Sequence, residues 1–383
     1  MTRIGAGLST LEQAEEATRE AARAAAAPLR GEPVDLAFVF LSPAHLDEVE
    51  EAAEAVREEL EPRHLLGCVA EGVVARDREL ERGPGAAVWA ASLPGGSIDL
   101  FHAEVVETDE GAALVGLPAL ERASLVALLV DPFTFPAGAL LEYLAADHPQ
   151  LPVVGGIATG GGEAGAQALL VDGELHRGGA VGAALGDIAV RAVVSQGCAP
   201  IGRDAVITRA EGNVVYELAG QPAFERLREE LTSLSPEQRA LAMRGLLAGL
   251  VVDENLPSYG RGDYLMRGLL GGDEESGALA VGEQVRVGQT LRFHVRDAAS
   301  ADEDLRQALE GLAGEHAAGA LLFTCNGRGR NMFPDTSHDA RAVVEALGSD
   351  GLAGFFCGGE IGPVGGRSFL HGFTATLAVF LDR

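Results

Sequence analysis

The chain has 383 residues, 47% of them hydrophobic, with 29 basic against 57 acidic side chains and a formal charge of -28. That length exceeds one ordinary core and the composition is globular, so two or three domains are expected rather than a disordered chain. A surface this acidic repels phosphate backbones, which sets nucleic acid aside as a partner.

The opening MTRIGAGLSTLEQAEEA has one arginine and no apolar segment, so it does not read as a secretory signal. No uncharged apolar run is long enough to span a membrane. The cysteines Cys68, Cys198, Cys325 and Cys357 lie far apart with no C-x-x-C pair. They read as reduced thiols of a cytoplasmic protein. An alanine-rich amphipathic helix is expected over 10–27, with Ser9 or Thr10 as N-cap, covering a sheet.

From there the chain repeats a pattern. LAFVFL (36–41), LVALLV (125–130) and ALLFTC (320–325) are continuous apolar runs of the buried-strand type. Each leads into a helical segment: AHLDEVEEAAEAVREEL, GALLEYLAADH and HDARAVVEALG. Each helix leads to an apolar run with GxxxxG spacing, at Gly67 and Gly72, Gly155 and Gly160, and Gly354 and Gly359. A last strand follows: GAAVWAASL, GAVGAALG and GFTATLAVFL. The unit is β-α-β-loop-β, three times, at about 34–95, 123–190 and 318–383. The expected fold class is therefore α/β or α+β, with mixed β-sheets built from repeated β-α-β-β units, packed together and covered by helices.

Between the second and third units the pattern changes. IAVRAVVSQGCAPIG and DAVITRAEGNVVYEL read as strands, with Glu211-Gly212-Asn213 a hairpin turn. PAFERLREELTSL and PEQRALAMRGLLAGL read as helices opened by proline, and several strands follow up to LRFHVRD. Asp302 is expected to cap the next helix, and Tyr259, Arg261 and Asp263 to serve turns and packing. A domain boundary is placed near residue 225, giving 1–225 and 226–383.

The same residues carry a family likeness. AGLST, VFLSPAH, LLGCVAEGV, GGAVGAAL and VSQGCAPIGRDAVITRAEGNVVYELAGQPAFERL in the first half resemble the FIST N-terminal domain. DYLMRGLLGGD, RVGQTLRFHVRDA, LLFTCNGRGRNMF and GFFCGGEIGPVGGRSFLHGFT in the second half resemble the FIST C-terminal domain. The resemblance implies a sensory module of intracellular signal transduction that binds a small molecule, amino acids being the usual suggestion. It implies a downstream protein partner as well, although the chain carries no kinase or cyclase motif.

Candidate site residues cluster in the third unit. GFFCGGEIGPVGG is no phosphate cradle, because Glu360-Ile361-Gly362 follows Gly359 where a Walker motif needs lysine and a hydroxyl. In CNGRGRNMF, Asn326-Gly327 marks a turn, and Arg328 and Arg330 offer guanidinium forks suited to a carboxylate. If the strands ending at Cys325 and Cys357 are neighbours, Glu360 stands beside that turn and meets an ammonium, so the set complements an amino acid. The other reading is an internal Arg328–Glu360 ion pair. Glu360 has Val73 and Gly161 as its counterparts in the earlier units. Cys325 or Cys357 with His338 or His371 gives a second reading, a cysteine-dependent enzyme. A third is an acidic adaptor that recruits a protein. No metal, cofactor or membrane is expected.

Overall fold

The computed structural model describes residues 1–109 and 111–382. The chain forms two compact units. One gathers Met1–Val194, Leu305–Leu370 and the segment from Thr374; the other holds Ser195–Asp304 with His371–Phe373. Among the described residues no helix is long and apolar enough to cross a membrane.

The first unit contains the three repeats. Repeat one runs β1 (Arg3–Ser9), α1 (Ala14–Ala26), β2 (Leu36–Leu41), α2 (Val49–Leu60), β3 (His64–Val69), a hairpin of β4 (Val73–Ala75) and β5 (Arg78–Leu80), and β6 (Ala86–Ser92). Repeat two runs β7 (Ser97–Thr108), β8 (Gly111–Val115), β9 (Ala123–Val130), α3 (Ala137–Asp147), β10 (Val153–Ile157), a hairpin of β11 (Leu169–Val171) and β12 (Glu174–His176), and β13 (Ala180–Gly186). Repeat three opens with β14 (Val190–Gln196), and there the second unit interrupts it.

That second unit holds β15 (Cys198–Glu211), β16 (Val214–Leu218), β17 (Gln221–Pro222), α4 (Ala223–Ser233), α5 (Pro236–Ala242), β18 (Leu246–Val251), β19 (Tyr264–Asp273), β20 (Ala278–Val281) and β21 (Thr290–Arg296). Its seven-stranded sheet has the order β15-β21-β18-β19-β20-β16-β17. The hairpin at Gly212 forms as expected, with φ +60°. The long helix expected from PEQRALAMRGLLAGL does not: the helix stops at Ala242, and Leu246–Val251 is a strand between β19 and β21. LLAGLV is apolar all round, so its burial within the sheet overrides helical spacing. The helix cap also moves. Asp297, not Asp302, accepts hydrogen bonds from the Ser300 N–H at 2.9 Å and the Ser300 hydroxyl at 2.6 Å. Tyr259 donates to Glu254, and Asp263 accepts from the Gly260 N–H, which is turn chemistry.

Repeat three resumes with α6 (Ala298–Glu310), β22 (Ala317–Cys325), α7 (His338–Leu347), β23 (Leu352–Cys357), a hairpin of β24 (Glu360–Val364) and β25 (Arg367–His371), and β26 (Thr374–Leu381). In every repeat the strands on either side of one helix run parallel (β2 and β3, β9 and β10, β22 and β23), and the last strand runs antiparallel beside the first of the two. The hairpins, however, leave home. The sheets read β1-β6-β2-β3-β11-β12, β25-β24-β10-β9-β13-β7-β8 and β14-β26-β22-β23-β4-β5. Repeat one lends its hairpin to repeat three, repeat three to repeat two, and repeat two to repeat one. The exchange closes on itself.

The three sheets share one core, with Phe38, Phe40 and Trp89 against Leu129, Val181, Phe323, Phe355 and Phe380. Phe40 meets Phe355 at 5.3 Å and Trp89 meets Phe380 at 5.0 Å. Trp89 donates its indole N–H to the Gly351 carbonyl at 3.2 Å, which satisfies the one polar atom of a buried indole. Helices cover the outer faces: α1 and α2 on the first sheet, α3 on the second, α6 and α7 on the third. Covered on both sides, β2 and β6 are buried at every residue, which explains their unbroken apolar runs. The first glycine of each GxxxxG is a close-approach residue. A Cβ at Gly67, Gly155 or Gly354 would stand 2.4, 1.9 or 1.7 Å from the carbonyl oxygen of Val39, Leu128 or Leu322 respectively. The helix expected over 10–27 begins at Ala14 with Gln13 as cap, because residues 3–9, including Ser9, are drawn into β1.

Candidate functional site

The strands β22 and β23 are parallel neighbours, and their last residues, Cys325 and Cys357, are direct partners. Both strands therefore end on one edge of the third sheet, where loops of parallel sheets gather. The turn after Cys325 is tied down by its backbone. Asn326 N–H donates to the Cys357 carbonyl at 2.9 Å, Arg328 N–H to the Cys325 carbonyl at 2.8 Å, and Gly327 N–H to the Cys325 sulfur at 3.3 Å.

This turn drives Arg328 inward, where it is fully buried. Its Nε and Nη2 donate to the two carboxylate oxygens of Asp339 at 2.7 and 2.8 Å. Asp339 lies in the first turn of α7 and also accepts from the Thr324 hydroxyl at 2.8 Å. Burial alone would raise its pKa, but the Arg328 charge and these hydrogen bonds hold the carboxyl far below its usual range. The internal partner of Arg328 is thus Asp339, and not Glu360 as the ion-pair reading had it. One nitrogen is left over: Nη1 is buried with no hydrogen-bond partner among the described residues.

Glu360 opens β24 and is fully buried too. Its Oε2 accepts from the Thr374 N–H at 3.1 Å and the Thr374 hydroxyl at 2.9 Å. Its Oε1 is buried without a partner among the described residues. Burial pushes the carboxyl up to about 8, against the pull of Thr374, the Cys325 thiol and the Arg328 charge. Both protonation states are therefore accessible near neutral pH. Asn326 donates from Nδ2 to the Thr159 hydroxyl at 3.3 Å, while its Oδ1 is a third buried atom without a partner. The Cys357 thiol is enclosed, and burial with the neighbouring Glu360 pushes its pKa well up. Cys325 is 8% exposed.

Cys325, Asn326, Arg328, Cys357 and Glu360 therefore come together. Arg330 does not join them: its side chain is 65% exposed and pairs with Glu81 at 3.8 Å. His338 is engaged by Asp339 at 3.0 Å and stacked on Phe333 at 3.6 Å. Among the described residues no group of three or more His, Cys, Asp or Glu side chains is placed to hold a metal ion.

The structure adds residues that sequence reading missed. Glu79, on the hairpin lent by repeat one, accepts from the Ala340 N–H at 2.9 Å at the start of α7. Burial and the adjacent Asp339 push its carboxyl up to about 8. A signal for the site was present in the repeats. Strand pairing aligns Val39–Gly67, Leu128–Gly155 and Leu322–Gly354. Three positions beyond the first strand residue stand Ser42, Asp131 and Cys325, and three further stand His45, Thr134 and Arg328. The same alignment makes Leu169, not Gly161, the counterpart of Glu360, because Gly67 pairs with Leu170 and Gly155 with Ile361. The longer loop of repeat two hid this. Arg328 thus has His45 and Thr134 as its counterparts and Glu360 has Val73 and Leu169, so the arginine and the glutamate at these two positions belong to repeat three.

Known families and proteins agree on where the chain belongs. A family model described as the FIST N domain matches residues 35–221, and one described as the FIST C domain matches residues 223–363. The uncharacterized protein Rv0628c of Mycobacterium tuberculosis is 46% identical over 384 residues, covering 99% of this chain and 100% of its own. The uncharacterized protein Mb0898c of Mycobacterium bovis is 45% identical over 384 residues, covering 99% of each.

Proposed function

The chain belongs to the FIST family, and from that premise we propose that it is a non-catalytic sensor whose third repeat binds an amino acid or a related small carboxylate. FIST domains are associated with sensory signal transduction. One observation carries the ligand class. A cationic donor, Arg328 Nη1, and an acidic acceptor, Glu360 Oε1, are both buried and both lack a partner among the described residues. Unpaired buried polar atoms cost on the order of 1–3 kcal/mol each. A zwitterion offers a carboxylate to the first and an ammonium to the second. Four free, buried cysteines support a reducing, cytoplasmic setting.

Thermal unfolding with a panel of amino acids and small carboxylates tests this. A ligand at a hundredfold excess over its Kd stabilises by about 2.7 kcal/mol, a rise of several degrees. Glu360→Gln keeps the shape of the side chain and is expected to abolish the shift given by amino acids. If no compound raises the Tm, or the Gln variant responds as the parent does, the reading fails. The cysteine-enzyme reading draws on the Gly327 N–H that faces the Cys325 sulfur. Fast alkylation of Cys325 near neutral pH would favour it, and a sluggish thiol would end it.

A further inference from the structure

Repeat three differs from its siblings where its two parallel strands end. The register of β2 on β3, β9 on β10 and β22 on β23 brings Ser42 opposite Ala70, Asp131 opposite Ala158 and Cys325 opposite Cys357. Only the third of these matched pairs consists of two thiols. Partners on neighbouring strands stand about 4.8 Å apart, inside the span of about 4.4–6.8 Å between Cα atoms that a disulfide bridges. Side-chain alternation puts both sulfurs on one face of the sheet. Phe323 and Phe355, two residues back on each strand, lie in the shared core, whereas Thr324 bonds Asp339 of α7 and Phe356 joins the cluster under the outer helices.

The two thiols are held differently. The Gly327 N–H donates to the Cys325 sulfur at 3.3 Å. The Cys325 thiol hydrogen-bonds Glu360, and the Arg328 charge attracts the sulfur when it is anionic. A backbone donor and a buried cation favour the thiolate, which is the form that attacks an oxidant. Cys325 also keeps 8% of its surface exposed. Cys357 is fully enclosed and donates to the Phe355 carbonyl at 3.6 Å, and burial with the Glu360 charge keeps it protonated. Its sulfur fits because residue 156 is glycine: a Cβ there would stand 2.2 Å from it.

We infer that Cys325 and Cys357 are a peroxide-reactive pair, with Cys325 as the attacking thiol and Cys357 as the resolving one. Cys325 passes its proton to Glu360, and the thiolate attacks one oxygen of hydrogen peroxide. The O–O bond breaks, the departing hydroxide takes the proton back from Glu360 as water, and Cys325 becomes a sulfenic acid. The Cys357 sulfur then displaces that hydroxyl, which leaves as a second water with the Cys357 proton. Two thiols and one hydrogen peroxide thus give one disulfide and two waters, and two electrons pass from the sulfurs to the peroxide oxygens. A dithiol reductant reverses the change. The inference does not rest on the ligand reading, since it needs no bound amino acid.

Peptide mass mapping of the full chain tests it. The reduced protein is treated with about 0.1 mM hydrogen peroxide, quenched with an alkylating agent and digested without reductant. A loss of about 2 Da is expected, with one cross-link between the peptides that hold Cys325 and Cys357, undone by dithiothreitol. Cys68 and Cys198 should be recovered alkylated. Oxidation is expected to run at least about tenfold faster than that of free cysteine at the same pH. Cys357→Ala should give instead a Cys325 sulfenic acid that dimedone traps, and Cys325→Ser should leave Cys357 a thiol. These two changes install the residues that repeat one carries at the matched places, Ala70 and Ser42, so folding is expected to survive. If either variant fails to fold, the cross-link map and rate of the parent decide. A cross-link through Cys68, sulfinic acid at Cys325 without any cross-link, or a rate no faster than that of free cysteine would overturn the inference. So would a Cys325 that alkylates fast yet never joins Cys357, the outcome that favours the cysteine-enzyme reading. The ligand reading is tested on the reduced chain without peroxide, so either can fail alone.

Discussion

Arg328 and Asp339 form a buried pair whose partners cannot be removed singly without leaving a charge behind. Asp339→Asn is expected to cost about 3–5 kcal/mol in urea unfolding, far more than an exposed pair such as Arg122–Asp187. Glu360 works in the opposite sense with pH. Its folded pKa is raised from 4.5 to about 8, so the folded state binds its proton more tightly than the unfolded chain. Stability from this group is full below about 4.5 and is lost as pH rises towards 8. Glu360→Gln should therefore gain on the parent as pH climbs from 6 to 9, by up to a few kcal/mol. An unchanged difference across that range would contradict the burial of a titrating carboxyl. His45 has the mirrored behaviour. Its ring is fully buried with both nitrogens unpartnered among the described residues, and burial lowers its pKa from 6.5. The folded state then binds fewer protons, so its contribution falls away as pH drops below 6.5. His45→Gln is expected to lose less stability than the parent between pH 7 and 5, read from paired denaturation curves.

At the scale of elements, the glycines make the sharpest contrast. Gly354→Ala puts a methyl group against the Leu322 carbonyl at 1.7 Å, backbone against backbone, so the strands must part. A loss of about 3 kcal/mol or more, or an insoluble product, is expected. Gly138 in α3 has nothing within 4 Å, and Gly138→Ala should raise stability by about 0.5–1 kcal/mol. The elements most legible in the sequence were those with covered faces. LAFVFL, LVALLV and ALLFTC read as strands because burial on both sides leaves no polar position. The same property misled at Leu246–Val251, where an all-apolar run also suits a helix. Pairings across the fold were out of reach. Asp339 meets Arg328 only because α7 returns over β22, and Glu79 arrives on a hairpin from another repeat. The turn chemistry that places Cys325, Asn326 and Arg328 is local, so those residues could be picked out; Thr374 and Thr159 are brought in by tertiary contact alone.

On the scale of the whole molecule, none of the three sheets is complete without a loan. The two compact units draw on separated segments of the chain. A chain limited to residues 1–194 would keep β4 and β5 without β23 to receive them, and β10 without β24. It would also lack Phe323, Phe355 and Phe380 from the shared core. Such a fragment is expected to show no cooperative thermal transition, and a sharp one would mean that two repeats suffice.

The closed loan of hairpins also sets an order of events in the cell. β4 leaves the ribosome early, yet its partner β23 lies near the far end of the chain. At about 5–20 residues per second the hairpin waits on the order of tens of seconds, together with the exposed edge it must later cover. Sheets of such non-local pairing close late. The protein is thus committed to synthesising β23 before β4 can pair, and the acidic surface that repels its own nascent copies is well suited to that interval.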